Sequence, residues 1–353
     1  VCIERLWWGA VEFGKTGRFW VWVYSSRVLV IASSVFLILG LFSIPLGLVW
    51  EHVILMLLGI RLFYSGVMWA QVPGYAGYYM PHPLLSISIA VLEISGGVLA
   101  ILGSWLWVYV IALSGFIHAS VYLYRRAIGS SPLKLPNILT LAGLLHSSLS
   151  LAAGLGPLYS ISFPLLSACS LMVRVEPNIN GYRISRPLLY TYIALSIASL
   201  ALSPLIGVRS LVLIAGLVVI PLYKIKIGGV SLKLRVEDIY RLGSSIAKIL
   251  GVLSMIVVLL GIRGVDYIHM SMIGFLAVIM ASLCTPLLLP GIMGRAYRAK
   301  WVPIQSIVAI IGIARAIPTR SAEYWGWVEL LALVTAALIM YIIYITLSSE
   351  KAL

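Results

Sequence analysis

Four histidines fall inside long apolar runs of this chain: His52, His118, His146 and His269. Neutral imidazole is the commonest side-chain ligand for haem iron and a good one for copper, and helix-borne ligands converging inside a bundle are a usual way to hold such a centre. A fifth histidine, His82, sits in Met80-Pro81-His82-Pro83, at the entrance to an apolar run. The plain alternative for each ring is a hydrogen bond to a neighbouring helix. No two of the four share a run, so spacing alone does not choose between these. With so few other polar groups beside them, four such residues favour a metal or haem site.

Arg61 and Glu93 form a second candidate set. A charge within a bilayer costs about 2.5–3.5 kcal/mol on insertion scales, so each is a functional candidate by default. They lie near the middles of consecutive apolar runs and are expected to meet as a buried ion pair or relay. Such a pair is glue between helices, part of a proton relay, or an arginine beside a haem propionate. Arg27 also lies within an apolar run.

The elements that position these residues follow from composition. Of 353 residues, 61% are hydrophobic and 10% charged, and the mean hydropathy is +1.07. Soluble domains run at about 45–50% and about 25%. No water-soluble globule of this size has interior enough for so much apolar side chain, so the solvent for most of the chain is lipid. A bilayer core needs about 20 apolar residues per helix. Runs of that length, broken by Pro, Gly or basic clusters, number twelve: 24–46, 50–70, 83–103, 104–124, 137–156, 157–175, 188–205, 207–223, 244–262, 265–289, 301–318 and 325–348. Gly103-Ser104, Gly156-Pro157 and Pro204 supply the turns between closely spaced runs. The fold class expected is an all-α, polytopic transmembrane bundle. It forms a single integral membrane domain over 1–353, with six spans in 21–175 and six in 188–348. Residues 1–20 read as an interfacial segment with Trp7, Trp8, Phe19 and Trp20 in the headgroup layer, and 224–243 as a cytoplasmic link.

The net charge of +14 is read through this frame. With twelve spans, Arg209, Arg263, Arg315 and Arg320 fall on one side of the membrane. The remaining loop cations, from Arg5 to Lys351 and including Lys248, fall on the other. That asymmetry places both termini in the cytoplasm, in a multi-pass protein of the cell membrane. The basic residues then meet anionic lipid headgroups, not nucleic acid. Cys2, Cys169 and Cys284 show neither CxxC nor CxxCH spacing and read as plain buried thiols. No cleavable signal pattern is visible in 1–18. No nucleophile or acid–base constellation stands out, so catalysis is not assigned.

Three segments together resemble the NnrS family of polytopic haem- and copper-containing membrane proteins associated with nitric oxide. The strongest runs from Tyr267-Ile268-His269-Met270-Ser271-Met272-Ile273-Gly274 through Met280 and Thr285 to Gly294-Arg295. It is similar to the family's late helix, where a His is followed five residues later by Gly, then a Met-Thr step and a terminal Gly-Arg. The second is Trp50-Glu51-His52, leading through Gly66 to Val72-Pro73-Gly74-Tyr75-Ala76-Gly77, and the third is Asn137 followed by His146. Two departures are visible. His52 stands one position out of the family's register, beside Glu51, and Ile292 and Met293 occupy the place of a second His before Gly294-Arg295.

The resemblance implies a membrane haem protein, of b type and with or without copper, that binds or detoxifies nitric oxide or a similar diatomic ligand. Running each span in its expected direction puts His52 and His269 near the outer leaflet and His146 near the middle, and the resemblance implies these three as ligands. His118 would serve a second centre or a hydrogen-bonding role. A redox partner protein or quinol would supply electrons. Two other classes fit twelve spans and buried charges: a secondary transporter depending on Arg61 or Glu93, and a membrane-anchor or electron-transfer subunit of a respiratory complex.

Overall fold

The computed structural model describes residues 17–72, 80–124, 135–224, 236–263, 265–288, 292, 304–316 and 323–348. Among them the regular structure is helical throughout, with no strand. In chain order the helices are α1 (Gly17–Phe42), α2 (Val49–Ala70), α3 (Pro83–Ile101), α4 (Trp107–Tyr124), α5 (Leu135–Ala152) and α6 (Ser162–Asn180), the last entered through a 3-10 turn at Pro157–Ile161. There follow α7 (Arg186–Ala201), a single turn at Ser203–Ile206, α8 (Arg209–Leu217) and α9 (Val236–Leu259). Next, α10 opens at Tyr267–His269 and continues as π-helix over Met270–Ala277 and Met280–Leu288; α11 (Ile304–Ala316) and α12 (Glu323–Ser348) complete the series. Eight of these segments are long and apolar enough to cross a membrane: α1, α2, α3, α5, α6 with its entry turn, α9, α10 and α12. Parts of α4 and α11 are shorter apolar helices.

Local chemistry explains the boundaries. Pro83 opens α3, where its missing N–H is no loss, and the His82 ring accepts a hydrogen bond from the Leu84 amide at 3.3 Å. Asp266 caps α10, its Oδ1 accepting from the His269 amide at 3.1 Å. Gly103 and Gly156 take φ of 71° and 117°, backbone that only glycine adopts readily, at two of the turns marked in the sequence. Elsewhere the helices depart from the apolar runs. α6 continues past Arg174 to Asn180, carrying Pro177 inside it, because Glu176 in its last turns is paired internally and not solvated. α8 is only nine residues long, and Pro221 lies in the turn that follows.

The chain divides into two compact units, Val1–Ser43 with Leu48–Ser167, and Ile44–Gly47 with Ala168–Leu353. In the first, α1 packs along α2, and α3 on α4 and α4 on α5 are further pairings; the Ser33 hydroxyl donates to the Gly59 carbonyl at 2.6 Å across the α1–α2 contact. In the second, α8 packs on α9, and α10 lies against α9 and α11. Cys169 and Cys284 are buried, as expected. Several sequence features lie outside the described residues: Cys2, residues 1–16 of the interfacial segment, 225–235 of the link, the Pro73–Gly77 stretch and Gly294-Arg295.

Candidate functional site

Arg61 and Glu93 do meet. Arg61 Nε donates to both carboxylate oxygens of Glu93, at 3.1 and 3.2 Å, with both side chains buried. Glu93 Oε1 also accepts from Ser65 at 3.3 Å and Ser114 at 3.1 Å. The rest of the guanidinium fork is used as well: Nη1 donates to Ser147 Oγ at 2.5 Å and Nη2 to the Ile111 carbonyl at 3.3 Å. The Phe163 ring lies 5.5 Å from its charged carbon. Residues of α2, α3, α4, α5 and the first turn of α6 thus enclose one charged centre. Its geometry is self-consistent, because a buried charge persists only when paired and hydrogen-bonded.

One and two turns along α4 from Ser114 stand His118 and Tyr122. His118 is wholly buried, packed edge-on against Trp69 (5.1 Å between ring centres) and Phe163 (5.5 Å), with Tyr122 at 6.1 Å. Neither of its ring nitrogens has a hydrogen-bond partner among the described residues. His146, in the same unit, lies 6.0 Å from the Tyr159 ring. His52 is half-buried and its Nδ1 lies 2.8 Å from the Gly40 carbonyl oxygen.

His269 belongs to the second unit. Its Nδ1 lies 2.6 Å from Asp266 Oδ2, so a carboxylate three residues earlier fixes the ring. Burial by itself would raise the Asp266 carboxyl, but hydrogen bonds from His269, the charge of His269 and the charge of Arg315 together hold it below its usual value. A fixed oxygen on one imidazole nitrogen, here Gly40 for His52 and Asp266 for His269, is the outer-shell arrangement that orients metal-ligating histidines and makes the other nitrogen the ligand. In that respect each residue would suit ligation of a haem iron or a copper ion. Among the described residues no three of His, Cys, Asp and Glu cluster as a metal site would require; a haem iron, held in its porphyrin, needs only one or two protein ligands.

The second unit also holds a charged centre that the sequence reading did not single out. Lys248 Nζ donates to Glu176 Oε1 at 2.8 Å, both side chains buried, and to the carbonyls of Leu222 (3.2 Å) and Lys224 (2.6 Å). Ser244 donates to Glu176 Oε2 at 2.6 Å and Tyr182 to Oε1 at 2.9 Å. Lys248 is therefore an interior cation and not a loop cation. The sequence signal was a lysine inside the run Ile246-Ala247-Lys248-Ile249-Leu250. Asp266 was missed likewise, although Asp266-x-x-His269 puts both side chains on one face of a helix.

No protein-family model matches the chain, and no curated protein matches it at a significant level.

Proposed function

We propose that this chain is a multi-pass protein of the cell membrane that binds haem of b type, with or without copper, and through it nitric oxide or a similar diatomic gas. The observation that carries the reading is the anchoring of His52 and His269, the histidines of the two most specific NnrS-like segments. Each has Nδ1 held by a fixed oxygen, which directs Nε2 to ligation. When bound, a haem iron would supply the position at which a diatomic gas coordinates. The chain's own part is to orient the imidazoles, that of His269 through Asp266, and to keep water away with apolar helices. Twelve spans with both termini in the cytoplasm remain the topology proposed, with α7, α8 and α11 shorter than a straight crossing requires.

The test is an optical spectrum with metal analysis on protein produced with ample haem and copper. A Soret band is expected, weakened by His52→Ala and by His269→Ala. Asp266→Asn should keep the band but shift the reduction potential. Protein that contains neither haem nor copper ends the reading. A second reading, a secondary transporter, is favoured by the buried Arg61–Glu93 centre. It expects substrate uptake to fail in Arg61 and Glu93 variants and to ignore histidine replacement.

A further inference from the structure

Two sets of contacts fix the register of α2, α3 and α4 in the first unit. Arg61 meets Glu93, while Trp69 Nε1, two turns further along α2, donates to Ser86 Oγ at 3.0 Å; α2 and α3 are antiparallel. Ser114 meets Glu93 and His118 meets Trp69, so α4 runs in the direction of α2. Polar positions consequently line up. Tyr122, His118 and Ser114 occupy successive turns of α4, about 6 Å apart. Beyond Ser114 come Glu93 and Arg61, and beyond them Ser147 of α5, which receives Arg61 and donates to the Ser160 carbonyl at 3.4 Å.

Within this column His118 is not satisfied by protein partners. An imidazole always carries at least one N–H, yet both nitrogens of wholly buried His118 lack a partner among the described residues, as do the buried hydroxyls of Ser148 and Ser160. A Cβ placed on Gly115 would strike Ser148 Oγ and Arg61 Nη2, so this glycine lets the hydroxyl and the guanidinium approach closely against α4. Internal water is a common partner for buried polar groups left unmet by protein. Chains of Glu and His within membrane spans, so hydrated, carry protons.

We propose that the column is a hydrated proton path through the first unit, with His118 and Glu93 as its proton-carrying groups and Arg61 holding the Glu93 carboxylate in line. A proton taken up at one nitrogen of His118 gives imidazolium, and the other nitrogen releases its proton through water to Glu93. The imidazole is again neutral and the carboxyl is neutral. Loss of that proton toward Ser147 restores the carboxylate and its pairing with Arg61. Only N–H and O–H bonds form and break, and no oxidant or reductant enters. The aromatic rings against His118 are Trp69 from α2, Phe163 from α6 and Tyr122 from its own helix. The inference stands on the first unit alone and does not depend on haem.

The experiment uses the full chain, prepared with and without supplied haem, in lipid vesicles enclosing a pH-sensitive dye. A potassium diffusion potential set by valinomycin drives proton entry. Flux about tenfold above that of protein-free vesicles is expected, falling about tenfold in His118→Phe and in Glu93→Gln and by less in Ser147→Ala. Tyr344→Phe, on an exposed face of α12, should leave it unchanged. Flux no greater than in empty vesicles overturns the proposal, as does undiminished flux in His118→Phe. Should Glu93→Gln fail to fold, His118→Phe and Ser147→Ala decide, each first shown to be monodisperse and helical. Proton flux without a haem spectrum would sink the haem reading and keep this one; a haem spectrum without flux would do the reverse.

Discussion

Glu93 and Glu176 are buried alike, each against one cation and two hydroxyls, but their cations work differently. Arg61 spreads its planar fork over α3, α4 and α5, reaching Glu93, the Ile111 carbonyl and Ser147. Lys248, a point charge on a flexible stem, gathers Glu176 together with two carbonyls of the non-helical residues after α8. Arginine's fixed geometry suits a junction of several helices, and lysine's compact charge suits a cage of oxygens. The first centre sits at mid-helix with unmet polar groups extending from it. The second sits in the last turns of α6 beside Tyr182, which is outside the span, and each of its polar groups named here has a partner. A fully satisfied centre of that kind is a fastening. The unmet nitrogens of His118 are where a mobile species has something to do.

The comparison can be broken most directly by removing one charge. Glu93→Ala leaves Arg61 buried without its counter-charge and should cost about 3–5 kcal/mol, read as a fall in Tm in detergent. Lys248→Ala should cost less, because Glu176 lies near the end of its helix, keeps its two hydroxyl donors and can relax toward water. A larger fall for Lys248→Ala would reverse the ranking. The next effect in size comes from keeping the charge and changing its shape. Arg61→Lys strands Ser147 or the Ile111 carbonyl and should cost about 1–3 kcal/mol, with proton flux reduced although the charge remains.

Smaller effects sharpen the second centre. Tyr182→Phe removes one hydrogen bond to Glu176, an effect of about 1–2 kcal/mol by thermal unfolding. Burial, followed by the charge of Glu176 and the hydrogen bond to it, raises the Tyr182 phenol well above its ordinary value. Above the unfolded value of about 10 the unfolded chain releases a proton that the folded chain keeps, so stability should decline as pH rises there. Tyr182→Phe should lack that decline. The smallest effect is at Asp266, whose folded carboxyl lies below its unfolded value. Its contribution is present above the unfolded aspartate value and is lost as pH falls through the folded one, a component that acid unfolding of Asp266→Asn should lack.

Much of this was legible in the chain. Arg61 and Glu93 declared themselves because a charge amid some twenty apolar residues demands an opposite charge at similar depth, and the two lay on consecutive runs. Glu176 did not, because it adjoins a basic and polar stretch that reads equally well as loop, and Lys248 did not, because it stands near the start of the run 244–262, where a cation reads as facing the headgroups. The histidines were visible as residues but not as environments. Nothing in the spacing says that His52 meets a backbone carbonyl, that His269 is held by Asp266, or that His118 is ringed by Trp69, Phe163 and Tyr122.

Composition and the lengths of apolar runs by themselves determined a helical chain made for lipid, since an unpaired backbone cannot cross a bilayer and only a helix satisfies it within one segment. Those are local requirements, met or failed within some twenty residues. Which hydroxyl meets which carboxylate, and which buried nitrogen meets nothing, depends on the rotation and register of helices distant in sequence, such as Arg61 with Ser147 or Glu176 with Lys248. A slide of one helical turn would preserve every apolar run and break every one of these contacts, so only the tertiary structure could decide them.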